Sequence, residues 1–178
     1  MIKRLVVATM VSALALVGDI QAQEKAGGAP TDAEIAMIVV TANKMDIEGG
    51  KLAEKTSKNQ EVKKFAQTMV QDHGAVNEKA TALAKELKLT PKKSATSEKL
   101  ESDVKAQLKK LKGLKGEEFD KAYVDHEVAY HTTVIEALDN TLLPNAKNAE
   151  LKALLESGRP IFTSHLEHAK ELQKSLNK

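Results

Sequence analysis

Apolar residues recur at alternating steps of three and four along four long segments of the chain. This spacing places side chains on one face of an α-helix. After residue 30 the chain shows no alternation of apolar and polar residues of the kind that indicates β-strands. The apolar stripes of the four predicted helices begin at Ile35, Val62, Val124 and Phe162. The pattern therefore predicts an all-α protein.

Capping and helix-breaking residues set the boundaries of these helices. Thr31 and Glu34 form a capping box, in which each side chain satisfies a free backbone N–H at the start of the first helix. The second helix is predicted over about 60–87 and the third over about 117–143. Pro160 predicts a kink or a restart in the last helical stretch, because proline lacks the N–H that a helix interior uses.

The lengths of the connections predict the topology. Short connections join the first helix to the second and the third to the fourth, so each pair is expected to form an antiparallel hairpin. The long connection 88–116 contains a shorter, very polar helical pattern over 94–111, which suits a crossover along the bundle. Two hairpins joined by one long crossover form a ferritin-like four-helix bundle. A plain up-and-down bundle with a decorated loop is the alternative.

The first 22 residues have the pattern of a secretory signal peptide. Lys3 and Arg4 precede an apolar run over 5–17, which is too short to span a bilayer comfortably, and 20–22 resembles a cleavage site. An uncleaved anchor helix is the alternative. Residues 1–22 are therefore predicted to direct export and to be removed.

The rest of the chain is predicted to be one domain behind a linker. Residues 23–30 contain two glycines and a proline and predict a flexible segment, and 31–178 are predicted to form the helical bundle domain. We expect no transmembrane helix in the mature chain, which is predicted to lie in the periplasm or in association with the outer membrane.

Composition narrows the classes of function. The chain has no Cys and no Trp, only five aromatic residues, and 27 basic against 25 acidic side chains. Without Cys there is no disulfide, no thiolate metal site and no thiol nucleophile. The small net charge and scarce aromatics disfavour nucleic acid as a partner. The sequence shows neither a glycine-rich phosphate loop nor a G-x-S-x-G elbow, so we expect a role other than catalysis.

Three of the five histidines occupy positions at which the helical repeat calls for an apolar residue. These are His73 in the second helix, His131 in the third and His165 in the fourth. A buried imidazole brings one donor and one acceptor, and an unmet group costs roughly 1–3 kcal/mol. Three such residues lie on three helices of one bundle, and the sequence permits their rings to meet near its middle.

Carboxylates accompany these histidines. Glu127 lies four residues before His131 and therefore shares its helix face, and Glu48 lies at the edge of the apolar stripe of the first helix. Tyr123 and Tyr130 flank Glu127 and are interpreted as bundle core. Four further polar residues are interpreted as solvated or as lying at the rim: Asp46, Asp72, His126 and His168.

This pattern leads to the prediction of a metal site in the bundle core. Its predicted ligands are His73, Glu127, His131 and His165, with Glu48 as a fifth. Neutral imidazole and carboxylate suit zinc, iron, copper, nickel or manganese.

There are three alternatives to this metal site. One is a buried hydrogen-bonded network that fixes the register of the helices and binds nothing. A second is a non-catalytic envelope or stress protein that acts through a protein partner. The third, a di-iron oxidase, is disfavoured because it requires Glu-x-x-His pairs, and the sequence contains none.

The order and spacing of several motifs resemble a family of exported bacterial proteins, the domain-of-unknown-function family DUF4142. The resemblance covers roughly residues 31 to 176. Its motifs are EGGKLA at 48–53, VKKFAQTMVQDH at 62–73, FDKAY at 119–123 and HLEHA at 165–169. It implies a ferritin-like fold and an envelope location, and it implies no particular activity. Asp72, His73, His131 and His165 fall on characteristic positions of the family.

Overall fold

A computed structural model describes residues 28–178, which form helices and the turns between them, with no strand. The predicted signal peptide and most of the predicted linker lie outside these residues. The all-α class is confirmed. The long helices are α1 (Asp32–Thr56), α2 (Gln60–Glu86), α3 (Ala95–Lys112), α4 (Gly116–Ala137) and α5 (Ala149–Leu176). A π-helical stretch over Leu138–Leu142 and one further helical turn over Leu143–Asn145 extend α4.

Polar side chains cap the N-termini of several helices. The capping box predicted for α1 is confirmed: the Thr31 hydroxyl accepts from the Glu34 backbone N–H, and the Glu34 carboxylate accepts from that of Thr31 at 3.0 Å. Asn59 and Asn148 cap α2 and α5 by accepting backbone N–H groups of the first turn.

The last helix does not restart at Pro160. It runs through this residue as one helix over 28 residues. Leu155 before the proline and Phe162 after it lie in the same apolar cluster. Their common burial stabilises the helix on both sides of Pro160, although proline removes one backbone hydrogen bond.

Contacts at one end of the bundle fix the direction of each helix. The Lys92 backbone N–H, just after α2, donates to the Ala33 carbonyl at 2.9 Å. The Lys147 and Asn148 backbone N–H groups donate to the Asp32 carboxylate at 2.8 and 3.0 Å. Both α2 and α4 therefore finish where α1 starts, so α3 carries the chain back along the bundle. Its 18 residues span about 27 Å. This is the ferritin-like arrangement.

Buried apolar side chains form two clusters, one towards each end of the bundle. The start cluster surrounds the beginning of α1 and includes Ile35, Ile38, Val76, Leu138, Leu155 and Phe162. The far cluster includes Ala53, Phe65, Met69, Phe119, Tyr123 and Leu172. On α1, α2, α4 and α5, polar residues separate the two clusters.

Gly50 lets α1 and α2 approach closely. A Cβ atom at this position would lie 2.8 Å from the Ala66 carbonyl oxygen and 2.8 Å from Val70 Cγ2. The contact explains a helical glycine that would otherwise only weaken α1. Among the described residues, no helix combines the length and the apolar character that crossing a membrane requires.

Candidate metal centre

Five buried ionisable side chains meet between the two apolar clusters. We call them the His–carboxylate cluster: Asp46 from α1, His73 from α2, Glu127 and His131 from α4, and His165 from α5. One ring nitrogen from each of the three histidines lies within 4.8 Å of the others. Oxygens of Asp46 and Glu127 form a second such group with His131.

The hydrogen bonds of His73 fix its neutral tautomer. Asn43 donates its amide N–H to the Val39 carbonyl at 3.0 Å, which turns the amide oxygen towards the ring. That oxygen lies 2.8 Å from His73 Nδ1, and an Asp46 oxygen lies 3.4 Å from the same nitrogen. The Asn43 amide oxygen can only accept, so Nδ1 carries the proton. The lone pair of neutral His73 is therefore on Nε2.

His131 has the same arrangement. Its Nδ1 lies 3.0 Å from the Glu127 backbone carbonyl oxygen, to which it must donate. The lone pair of the neutral ring is then on Nε2. This atom lies 3.4 Å from Nε2 of His73.

The third histidine is oriented by a carboxylate. His165 donates from Nε2 to the Asp72 carboxylate at 3.0 Å. Its Nδ1 is buried and has no hydrogen-bond partner among the described residues. Each ring thus has its N–H bonded to an outer acceptor and keeps its other nitrogen for the interior. Metal-binding histidines commonly show this arrangement.

Several buried oxygens near the rings also lack hydrogen-bond partners among the described residues. They are Asp46 Oδ1, Glu127 Oε2 and the Tyr123 hydroxyl. The two carboxylate oxygens approach His131, at 4.0 Å from Nε2 and 3.4 Å from Nδ1, without hydrogen-bond geometry. Each unpaired buried group costs roughly 1–3 kcal/mol. A cation that both of these oxygens coordinated would satisfy the two carboxylates.

Electrostatics favour one positive charge in the cluster. Burial raises the pKa of Asp46 well above its usual range, and the nearby Glu127 carboxylate raises it further. Burial alone would lower the pKa of His131, but Glu127 and Asp46 outweigh it and raise this pKa to about 9. Burial and the charge of His131 lower the pKa of His73. Without a metal ion, a proton on His131 Nε2 is therefore what joins the two facing rings.

The structure brings together four of the five residues predicted as ligands from the sequence: His73, Glu127, His131 and His165. It does not bring Glu48 among them. The Glu48 side chain is 38% exposed and pairs with Lys44 at 3.4 Å on the surface of α1.

Asp46 takes the place that was expected for Glu48, and its interpretation as a solvated residue is wrong. It lies on a second buried stripe of α1. The members of this stripe follow steps of four and three: Val39, Asn43, Asp46, Gly50 and Ala53. This spacing is visible in the sequence and could have identified Asp46.

The residues interpreted as rim positions divide into two groups. His126 and His168 are half-buried and lie outside the His–carboxylate cluster, against Tyr130 and Phe65. Asp72 is half-exposed, but it reaches from α2 to His165 on α5. Because Asp72 acts across two helices, the sequence of its own helix could not show its partner.

Aromatic rings enclose the cluster. Phe162 stacks on His73, with ring centroids 5.3 Å apart and planes 4° apart. Tyr130 meets His131 edge-on at 6.2 Å and donates its hydroxyl to the Ala42 carbonyl at 3.1 Å. These contacts limit rotation of the two facing imidazoles and keep the surroundings of low polarity.

Comparisons with known proteins agree with this architecture. The family model described as "Domain of unknown function (DUF4142)" matches residues 18–172. The crystal structure of a DUF305 protein from Streptomyces coelicolor, described as secreted, is similar with a TM-score of 0.69. The two chains are 14% identical, and the match covers 82% of this chain and 93% of that one. At this identity the likeness shows the fold alone. No curated protein matches the chain.

Proposed function

The chain belongs to the DUF4142 family, and we propose that it is an exported bundle protein that binds one divalent transition-metal ion. The ligands are His73, His131 and His165, with Asp46 and Glu127 beside them. Asp46 supplies the fourth ligand, in place of Glu48.

The facing Nε2 atoms of His73 and His131 carry this proposal. Imidazole nitrogens bind zinc at about 2.0–2.1 Å, so two of them on one tetrahedral ion lie about 3.3 Å apart. The two Nε2 atoms are 3.4 Å apart. Both Nδ1 protons are already donated elsewhere, so both lone pairs are available to the same ion.

Charge supports one divalent ion. Three neutral imidazoles and two carboxylates have a net charge of −2, which a single divalent cation cancels. Balance matters because an uncompensated buried charge is costly. A second divalent ion would leave the buried cluster positive.

The ligand types narrow the choice of metal. Imidazole suits zinc, copper, iron and nickel, and the adjacent carboxylates also admit manganese. Calcium and magnesium prefer all-oxygen sites and are disfavoured by three nitrogens.

The proposal also includes the location of the protein. The signal-peptide pattern over 1–22 directs the chain out of the cytoplasm, to the periplasm or the outer membrane. The similar DUF305 protein is described as secreted. A bundle that holds a transition metal there would store or buffer it. Nothing in the cluster requires catalysis.

Elemental analysis and thermal melts of the purified protein test the proposal. We expect about one ion per chain and a rise in Tm of about 5–10 °C with Zn²⁺, Ni²⁺ or Co²⁺ at 100 times Kd. His131→Gln should abolish both effects. His126→Gln is the matched control, since His126 is a half-buried histidine of the same helix outside the cluster.

The alternative is a proton-bridged network that only fixes the register of the helices, in a protein that acts through an envelope partner. It predicts no stoichiometric metal and no shift in Tm with any divalent ion. His131→Gln would then change stability alone. That set of results would overturn the metal proposal.

A further inference from the structure

The His–carboxylate cluster is closed towards both ends of the bundle. Phe162 covers His73 on the side of the start cluster. On the other side lie Met69 and Tyr123, which are fully buried in the far cluster. A hydrated cation cannot cross either apolar layer, because its charge would lose water without gaining a ligand. An ion must therefore enter through the side of the bundle.

Asp72 lies at one side of the bundle and connects the His–carboxylate cluster with solvent. Its side chain is 39% exposed, whereas those of the five cluster residues are almost fully buried. Its Oδ2 accepts from His165 Nε2 at 3.0 Å, across the contact between α2 and α5. A single side chain thus reaches both water and a proposed ligand.

We propose that Asp72 captures the divalent cation at the surface between α2 and α5, from which the ion passes the His165 ring and binds its Nδ1 inside the cluster. This inference rests on the proposed metal binding and names its access route. A carboxylate can replace water around a hydrated cation while the ion is still exposed. Once the ion is bound inside, the same carboxylate accepts the His165 Nε2 proton. It thereby holds the ring with Nδ1 towards the ion.

The two steps give Asp72 separable effects. As a charge at the surface, it accelerates association in a manner that salt screens. As the acceptor for His165, it strengthens binding at equilibrium, and losing such a partner typically weakens metal affinity about 10–100-fold. A residue that only supported the fold would leave the salt dependence of association unchanged.

Stopped-flow mixing of the protein with Ni²⁺ separates these effects. The chain has two tyrosines and no Trp, and Tyr130 lies 6.2 Å from His131, so tyrosine emission reports arrival of the ion. We expect Asp72→Asn to lower kon about tenfold at low salt and to flatten its salt dependence. Asp72→Glu, which retains the charge, should restore most of kon.

Glu78→Gln is the matched control. It removes one negative charge from an exposed position of the same helix, away from the cluster, and should leave kon close to that of the unmodified protein. Far-UV circular dichroism checks that Asp72→Asn folds. If it does not, Asp72→Ser, which keeps an oxygen acceptor, replaces it in the same measurement.

The outcomes distinguish this inference from the proposal on which it rests. If the unmodified protein binds none of Ni²⁺, Zn²⁺ and Co²⁺, both fail. If it binds one Ni²⁺ and Asp72→Asn has the same kon and the same salt dependence, only the capture role of Asp72 fails. Equal slowing by Glu78→Gln would also overturn it, because the effect would then be one of general surface charge.

Discussion

Nε2 of His73 faces Nε2 of His131 at 3.4 Å, from two different helices, while both Nδ1 atoms donate to oxygen acceptors. In the neutral forms of these rings two lone pairs would oppose each other. A proton or a metal ion between them removes the repulsion. The space between these two rings therefore favours a cation, which is a proton in the metal-free protein or the metal ion that we propose.

Asn43 should contribute to metal affinity without touching the ion. Its amide oxygen fixes the Nδ1–H tautomer of His73. We expect Asn43→Ala to weaken Zn²⁺ binding about 10–100-fold, as measured by competition with a chelator. Asn145→Ala is the control, because Asn145 makes the same bond to a carbonyl four residues earlier but orients no histidine. Equal affinities of the two variants would contradict this role.

Two acidic residues of α1, Asp46 and Glu48, should behave differently. Asp46→Asn removes a buried carboxylate from the cluster, and we expect the affinity for Zn²⁺ to fall at least tenfold. Glu48→Gln removes a half-exposed carboxylate paired with Lys44, and the affinity should stay unchanged. Titration calorimetry of both variants measures the difference. A larger loss in Glu48→Gln would restore the ligand set first predicted from the sequence.

The metal-free protein should lose stability at alkaline pH. The pKa of His131 is about 9 in the folded protein and 6.5 in the unfolded chain, so folding favours the protonated ring. That contribution is fully present below about pH 6.5 and is lost as the pH rises through 9. Two and a half pKa units correspond to about 3 kcal/mol. Urea unfolding between pH 6.5 and 9.5 measures this loss, and His131→Gln should flatten the profile. An unmodified protein with a flat profile would show that His131 is not the proton carrier.

Two glycines of the first hairpin should respond oppositely to alanine. Gly50→Ala would place Cβ 2.8 Å from the Ala66 carbonyl oxygen, and the forced separation of α1 and α2 should cost about 1–3 kcal/mol. Gly74 also lies inside a helix, but nothing lies within 4 Å of its Cβ position. Gly74→Ala should therefore stabilise the protein by about 0.5–1 kcal/mol. Thermal unfolding of the metal-free variants checks both signs, and a tolerated Gly50→Ala would mean that the helices can move apart freely.

The sequence predicts most of the fold because its signals are local. The capping box at Thr31 and the apolar stripes each act within a helix, and the length of 88–116 leaves room for α3 to cross the bundle. The helix does not restart at Pro160, because burial on both sides of this residue, which depends on the other helices, outweighs one lost hydrogen bond.

The site was predictable where a polar residue interrupts a single stripe. This was so for His73, His131 and His165, which the structure brings together. Asp46 was missed because it lies on a second buried stripe of α1, whose small and polar members are less conspicuous than the main apolar stripe. The bond between Asp72 and His165 joins residues 93 positions apart, and only the packing of α2 against α5 brings them together.

The division of the apolar core also affects how the molecule opens. Each apolar cluster draws on α1, α2, α4 and α5, and the two clusters meet only at a layer of polar side chains. Without a metal, fluctuations of that layer separate two half-cores, whose amide protons should exchange with solvent independently. An ion bound there would tie four helices together at mid-height and merge the two halves into one cooperative unit. Binding of a single metal ion would then decide whether the protein unfolds in one step or in two.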